Sequence, residues 1–172
     1  MIYVGNFKEW LDQNIINTIL TTSGDRRPDP TTYNETADLQ NLWKQANYSP
    51  NRISWEMYYE SHLGKFLPPF TIDGEYEHWF CKMNPGDMLP LHDDRFEGKK
   101  MQDIIDSGKT INRYWLACQD MLPGHVFAYE DVLVDNYKAG DMFKFTVPNA
   151  LHGSCNIGLV PKISYQLTVV SF

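Results

Sequence analysis

Residues 138–172 read KAGDMFKFTVPNALHGSCNIGLVPKISYQLTVVSF. Two runs within them, 141–147 and 162–172, are dense in aromatic and β-branched residues, and the clusters KAGD, VPN and NIGLVP bracket them as turn chemistry brackets strands. The same signature occurs upstream at 76–84 (YEHWFCKMN), 113–121 (RYWLACQDM) and 125–135 (HVFAYEDVLVD), punctuated by NPGD and LPGH. Short strands at this cadence predict an antiparallel sandwich, jelly roll or barrel rather than a parallel sheet.

The part before residue 71 has a different character. In NFKEWLDQNIINTIL (6–20) the apolar positions 7, 10, 11, 15, 16 and 19 recur at three- and four-residue intervals, which predicts an amphipathic helix. Residues 21–36 carry loop composition, and a short helix is expected around 38–45. Another is expected over 49–64, with Ser49 as N-cap, Pro50 in the first turn and Gly64 past the end. A helical insertion, FEGKKMQDIIDSGK, occupies about 95–110 and interrupts the strands. The expectation is one domain over 1–172: a mainly helical support at 1–70 packed outside a β core at 71–172.

Composition narrows the function. A 172-residue chain with 42% hydrophobic and 14% aromatic residues can bury one substantial core. Twenty-two acidic side chains against 15 Lys and Arg give a net charge of -7, and no basic run gathers to attract a phosphate backbone, so nucleic acid is not an expected partner. The N-terminus gathers charge too early for a signal peptide and no apolar run approaches a membrane span, so the expected location is cytoplasmic. Three widely spaced cysteines, Cys81, Cys118 and Cys155, show neither zinc nor redox spacing.

The chemistry concentrates in two places. In LPLHDDRF (89–96), His92 and Asp94 lie two positions apart at a strand end, where period-two geometry points both side chains to one face. About sixty residues later His152 sits after a strand and before a turn-rich stretch, and Lys162 and Ser164 share a face of the last strand. Two histidines and a carboxylate on three adjacent coordination positions suit a non-heme Fe(II) that keeps positions open. Asp93 falls on the opposite face, His125 reads as a strand-end surface residue, and His62 and His78 read as structural.

The order His92-x-Asp94, distal His152, then Lys162-x-Ser164 ten residues on resembles the iron(II)- and 2-oxoglutarate-dependent dioxygenases. The resemblance covers about residues 78–172. MNPGDMLPLHDD is similar to the strand and Pro-Gly turn that lead into the metal motif of the prolyl-hydroxylase-like and asparaginyl-hydroxylase-like branches, and His152-x-x-x-Asn156 resembles the aspartyl/asparaginyl hydroxylases in particular. It implies a double-stranded β-helix (jelly roll) core. It also implies Fe(II) on His92, Asp94 and His152, 2-oxoglutarate held through its far carboxylate by Lys162 and Ser164 with Tyr114 as a further donor, O2 as oxidant, and a small-molecule or peptidyl substrate to be hydroxylated. Most members carry Arg where Lys162 stands, so the contact here is a point charge rather than a two-pronged one. Asp94 argues against a halogenase, which needs that position vacant. Two alternatives remain open: a cupin-like metal enzyme that does not use 2-oxoglutarate, although its His-x-His and Glu spacing is absent, and a non-enzymatic jelly-roll binding module.

Overall fold

The structure, a computed structural model, describes residues 1–26, 45, 53–92, 106–146 and 150–171. Eleven strands are found among them: β1 Ile2–Asn6, β2 Asp25–Arg26, β3 Glu56–Tyr58, β4 Glu75–Met83, β5 Met88–His92, β6 Thr110–Ala117, β7 His125–Tyr129, β8 Val132–Leu133, β9 Asp141–Lys144, β10 His152–Asn156 and β11 Lys162–Ser171. One sheet runs β1-β9-β6-β11-β4-β3-β2 and the other β5-β10-β7-β8, with every pairing between these strands antiparallel. From β4 onward, successive strands alternate between the two sheets except at the β7-β8 hairpin. The order β9-β6-β11-β4 facing β5-β10-β7-β8 is that of a double-stranded β-helix. The fold is mainly β with few helices, among them α1 Gln13–Thr21, α2 Glu60–Leu63 and a 3-10 turn at Lys8–Trp10. Among the described residues no helix is long and apolar enough to cross a membrane, and the three cysteines form no disulfide.

The two faces of the larger sheet have opposite chemistry. On β11, Ile163, Tyr165, Leu167 and Val169 point outward and pack with Phe80, Leu116, Phe66 and Ile19 of α1. Trp10 stacks on Phe80 at 5.9 Å between ring centroids. The alternate residues Lys162, Ser164 and Gln166 point between the sheets and line a cavity there. The main apolar core therefore lies outside the barrel, under the N-terminal segment. That burial frees the barrel interior to carry polar side chains.

The N-terminal segment departs from the helical expectation. Residues 6–20 form the 3-10 turn and α1 rather than one helix, α1 being N-capped by Asp12, which accepts from the Asn14 N–H at 2.8 Å. Of the helix expected over 49–64, residues 49–52 with the expected cap Ser49 and Pro50 lie outside the described residues; 53–64 form β3 and the one-turn α2 instead, and Gly64 does terminate α2 with a φ of 76°. Sheet pairing wins because Met57 packs with Trp55 and Cys81, whereas Glu56 and Tyr58 face the other way. The strand β1, which the helical reading did not include, adds an edge beside β9. The helix expected at 38–45, the loop 27–36 and residues 95–105 of the insertion lie outside the described residues, apart from Gln45.

Glu56 and Lys82 form a buried ion pair at 3.0 Å beneath the end of α1. The Lys82 ammonium also donates to the carbonyls of Ile19 and Thr22, satisfying helix-end acceptors. Burial by itself would raise the Glu56 carboxyl, but hydrogen bonds from Tyr58, the Gly24 N–H, Lys82 and Asn84 outweigh it and hold the group at about 2. A depressed acid contributes stability above its unfolded value of 4.5 and loses it as pH falls toward the folded value. The wild type is expected to lose about 3 kcal/mol from this group between pH 4.5 and 2. Denaturant titrations at pH 5 and 2.5 check this: Glu56→Gln should be less stable at pH 5 and show a flatter acid dependence.

Candidate functional site

The histidines of the two distant motifs meet in the smaller sheet. His152 opens β10, where it pairs directly with His92 at the end of β5 and with Tyr129 of β7. Their ring centroids are 4.4 Å apart, and both residues are buried. His152 therefore begins a strand rather than following one. Its alternation sends His152, Ser154 and Asn156 inward.

Both imidazoles are oriented in the same way. Nδ1 of His92 lies 2.9 Å from the Pro90 carbonyl oxygen, and Nδ1 of His152 lies 2.9 Å from that of Ala150. A carbonyl only accepts, so each Nδ1 carries a proton, and in the neutral ring the lone pair sits on Nε2. Two imidazoles with Nδ1 tied to backbone oxygens and Nε2 as ligand nitrogen fit a first-row divalent metal. Asp94, the third expected ligand, and its neighbour Asp93 lie outside the described residues, and among the described residues no group of three metal-ligating side chains assembles.

A bulge sets this alignment. Two steps along β10, from His152 to Ser154, face three along β5, from His92 to Leu89. The extra residue accommodates Pro90 inside the strand. Gly153 lies against the bulge, and a Cβ there would come within 3.0 Å of the Leu91 nitrogen and 3.1 Å of the Leu89 oxygen. Gly153→Ala is expected to cost about 1–2 kcal/mol through this crowding. It should also displace His92 from His152, so that Mn(II) titration followed by electron paramagnetic resonance shows weakened binding as well as a lower Tm.

Lys162 stands on the opposite wall of the same cavity. Its side chain is buried, and its ammonium donates to the Val126 carbonyl at 2.5 Å and to Ser154 Oγ. The stacked rings of Trp115 and Phe127 flank it, with centroids 5.9 and 5.6 Å from Nζ. Burial pushes the ammonium down to about 7, against a small opposing effect of the Cys155 and Cys81 thiols. Among the described residues no carboxylate pairs with it. Ser164, two residues on, lines the same cavity, as do His152 and Gln166. The space is narrow, a cavity of about 20 Å³.

Not every residue singled out in the sequence faces this cavity. Tyr114 pairs with Leu167, on the outward side of β6, and its ring packs on Phe70 at 5.5 Å. The strand period puts its neighbour Trp115 inside instead, so Tyr114 does not serve as the pocket donor. His125, expected at the surface, is fully buried: Nε2 binds the Val160 carbonyl at 3.1 Å, and Nδ1 has no hydrogen-bond partner among the described residues. Asn156 is also fully buried. Its amide donates to the carbonyls of Met83 and Val160 and accepts from the Gly158 N–H, which makes it a brace for the β10–β11 turn. His78 hydrogen-bonds Tyr165 and His62 pairs with Asp25, both away from the barrel interior. Ser154 escaped the sequence reading, although its i+2 spacing from His152 would have flagged it once 152–156 was read as a strand.

No protein-family model and no curated protein matches this chain. Among solved structures it is similar to an uncharacterized conserved protein with a double-stranded β-helix domain from Klebsiella pneumoniae (TM-score 0.39, 16% identity, covering 58% of this chain and 70% of that one). It is also similar to the cupin domain of Cnp3 from Schizosaccharomyces pombe (TM-score 0.40, 11% identity, 59% and 57%). A third is a sugar phosphate isomerase of the cupin superfamily from Silicibacter pomeroyi (TM-score 0.40, 10% identity, 67% and 58%). The fold rests on the strand order and registers given above.

Proposed function

We propose that this protein is an Fe(II)- and 2-oxoglutarate-dependent oxygenase that hydroxylates an unactivated C–H bond of an amino-acid or peptidyl side chain, releasing succinate and CO2. One observation carries the reading: two imidazoles oriented for a metal share an interior with a buried ammonium that has no carboxylate partner among the described residues. A packed core has no use for that cation, which costs stability where it stands. An incoming carboxylate offsets the cost.

His92 and His152, with Asp94, would hold the iron, and the Nδ1 anchors keep both rings turned toward it. Bound Fe(II) supplies the activation of O2 and its coupling to decarboxylation of the co-substrate. Lys162 and Ser164 bind the far carboxylate of 2-oxoglutarate. The stacked Trp115 and Phe127 pack against the ammonium, keep water from it and so strengthen its attraction for the anion.

The test is an anaerobic titration of Fe(II)-loaded protein with 2-oxoglutarate, following the visible metal-to-ligand charge-transfer band. The band is expected in the wild type and absent in His92→Ala. Iron binding without a band would point to a metal enzyme that does not use 2-oxoglutarate, and absence of iron binding to a jelly roll without this chemistry.

A further inference from the structure

Lys162 does not reach into the cavity unsupported. Its ammonium is held from the opposite sheet by Ser154 Oγ, which in turn donates to the Val126 carbonyl at 3.0 Å, and by that same carbonyl directly. Ser154 has only one side-chain rotor and sits on a strand paired on both sides, to Leu89 of β5 and Phe127 of β7. It is also the next inward residue after His152, one pleat repeat or about 7 Å along β10. A single strand thus fixes both the metal side of the site and the clamp on its cation.

We propose, on the reading given above, that Ser154 is a positioning residue. It holds the Lys162 ammonium at a set distance from the metal-binding histidines and so makes the site select a five-carbon 2-oxo diacid over its four- and six-carbon homologues. A long, flexible lysine would follow its ligand and discriminate poorly. Anchored at Ser154 and Val126, it cannot. A four-carbon diacid then falls short of the ammonium, and a six-carbon one is driven against Lys162 and its aromatic walls. Ser154 also acts on the charge: its oxygen accepts from the ammonium and favours the protonated form, against the desolvation that disfavours it.

The experiment is anaerobic calorimetry with Mn(II)-loaded protein, titrating 2-oxoglutarate, oxaloacetate and 2-oxoadipate between pH 6 and 9. Wild type is expected to prefer the five-carbon acid. In Ser154→Ala the affinity for 2-oxoglutarate should drop roughly tenfold or more, the preference over the two homologues should shrink, and the pH midpoint for binding should move to lower pH. Ser154→Thr, which keeps the hydroxyl, should restore all three. Wild-type affinity, preference and midpoint in a folded Ser154→Ala would overturn the role of Ser154 while leaving the 2-oxoglutarate reading in place. Failure of the wild-type protein to bind 2-oxoglutarate would overturn both.

Discussion

Lys162→Met is expected to abolish measurable 2-oxoglutarate binding while leaving Tm unchanged or raising it. The folded value of this lysine, about 7, lies below the 10.5 of an unfolded one, because burial penalises the ammonium. The unfolded chain therefore binds this proton more tightly, and wild-type stability climbs as pH rises from 7 to 10.5. At pH 7 and below the penalty is on the order of 3–5 kcal/mol. Methionine fills similar space without the charge, and after the lost hydrogen bonds to Ser154 and Val126 are allowed for, a gain of about 5 °C is expected. Denaturation at pH 7 and 9.5 checks the sign: the variant should lack the wild-type climb. Ligand affinity moves the other way, since truncating one partner of a buried charge pair costs about 2–5 kcal/mol. On the proposed function, 2-oxoglutarate binding to the wild type should take up a proton through the same titration, so affinity should fall up to tenfold per pH unit above about 7. A variant that loses both stability and binding would mark Lys162 as a structural residue.

On the proposed function, replacing either histidine should abolish metal binding with little loss of fold. His92→Ala or His152→Ala leaves the other imidazole anchored by its own carbonyl, so the remaining nitrogen stays in place but lacks its partner. Losing a ligand is worth more than losing a residue that orients one, which already costs about 10- to 100-fold in metal affinity. Anaerobic Fe(II) titration should therefore show affinity reduced by more than about 100-fold in both variants, and succinate formation should disappear with it. His152→Ala should destabilise more than His92→Ala, because His152 packs edge-on against Phe145 at 4.9 Å and near Phe127. Equal metal affinity in wild type and both variants would detach the histidine pair from any metal role.

Much of this was written in local pattern. The strands β4, β6, β7, β9 and β11 announce themselves because period-two burial and aromatic content are properties of consecutive residues. Lys162 and Ser164 share an inward face for the same reason, and Gly64 ends α2 where a left-handed residue was needed. Other features depend on partners remote in the chain. Residues 49–64 carry helical capping signals, yet β3 forms because the edge of β4 offers hydrogen bonds and an apolar face that no local propensity encodes. Which of two neighbouring side chains points into the barrel, Tyr114 or Trp115, is set by the register of β6 against β11. The burial of His125 follows from packing across the sheets. The meeting of His92 with His152, and the reach of Lys162 across the cavity to Ser154, follow from the bulge at Pro90 and the crossing of strands between sheets. The sequence by itself determined the strands β4, β6, β7, β9 and β11 and the chemical types available to the site. Only the tertiary structure decided which of them face one another, because strand order, register and bulges depend on contacts between distant segments.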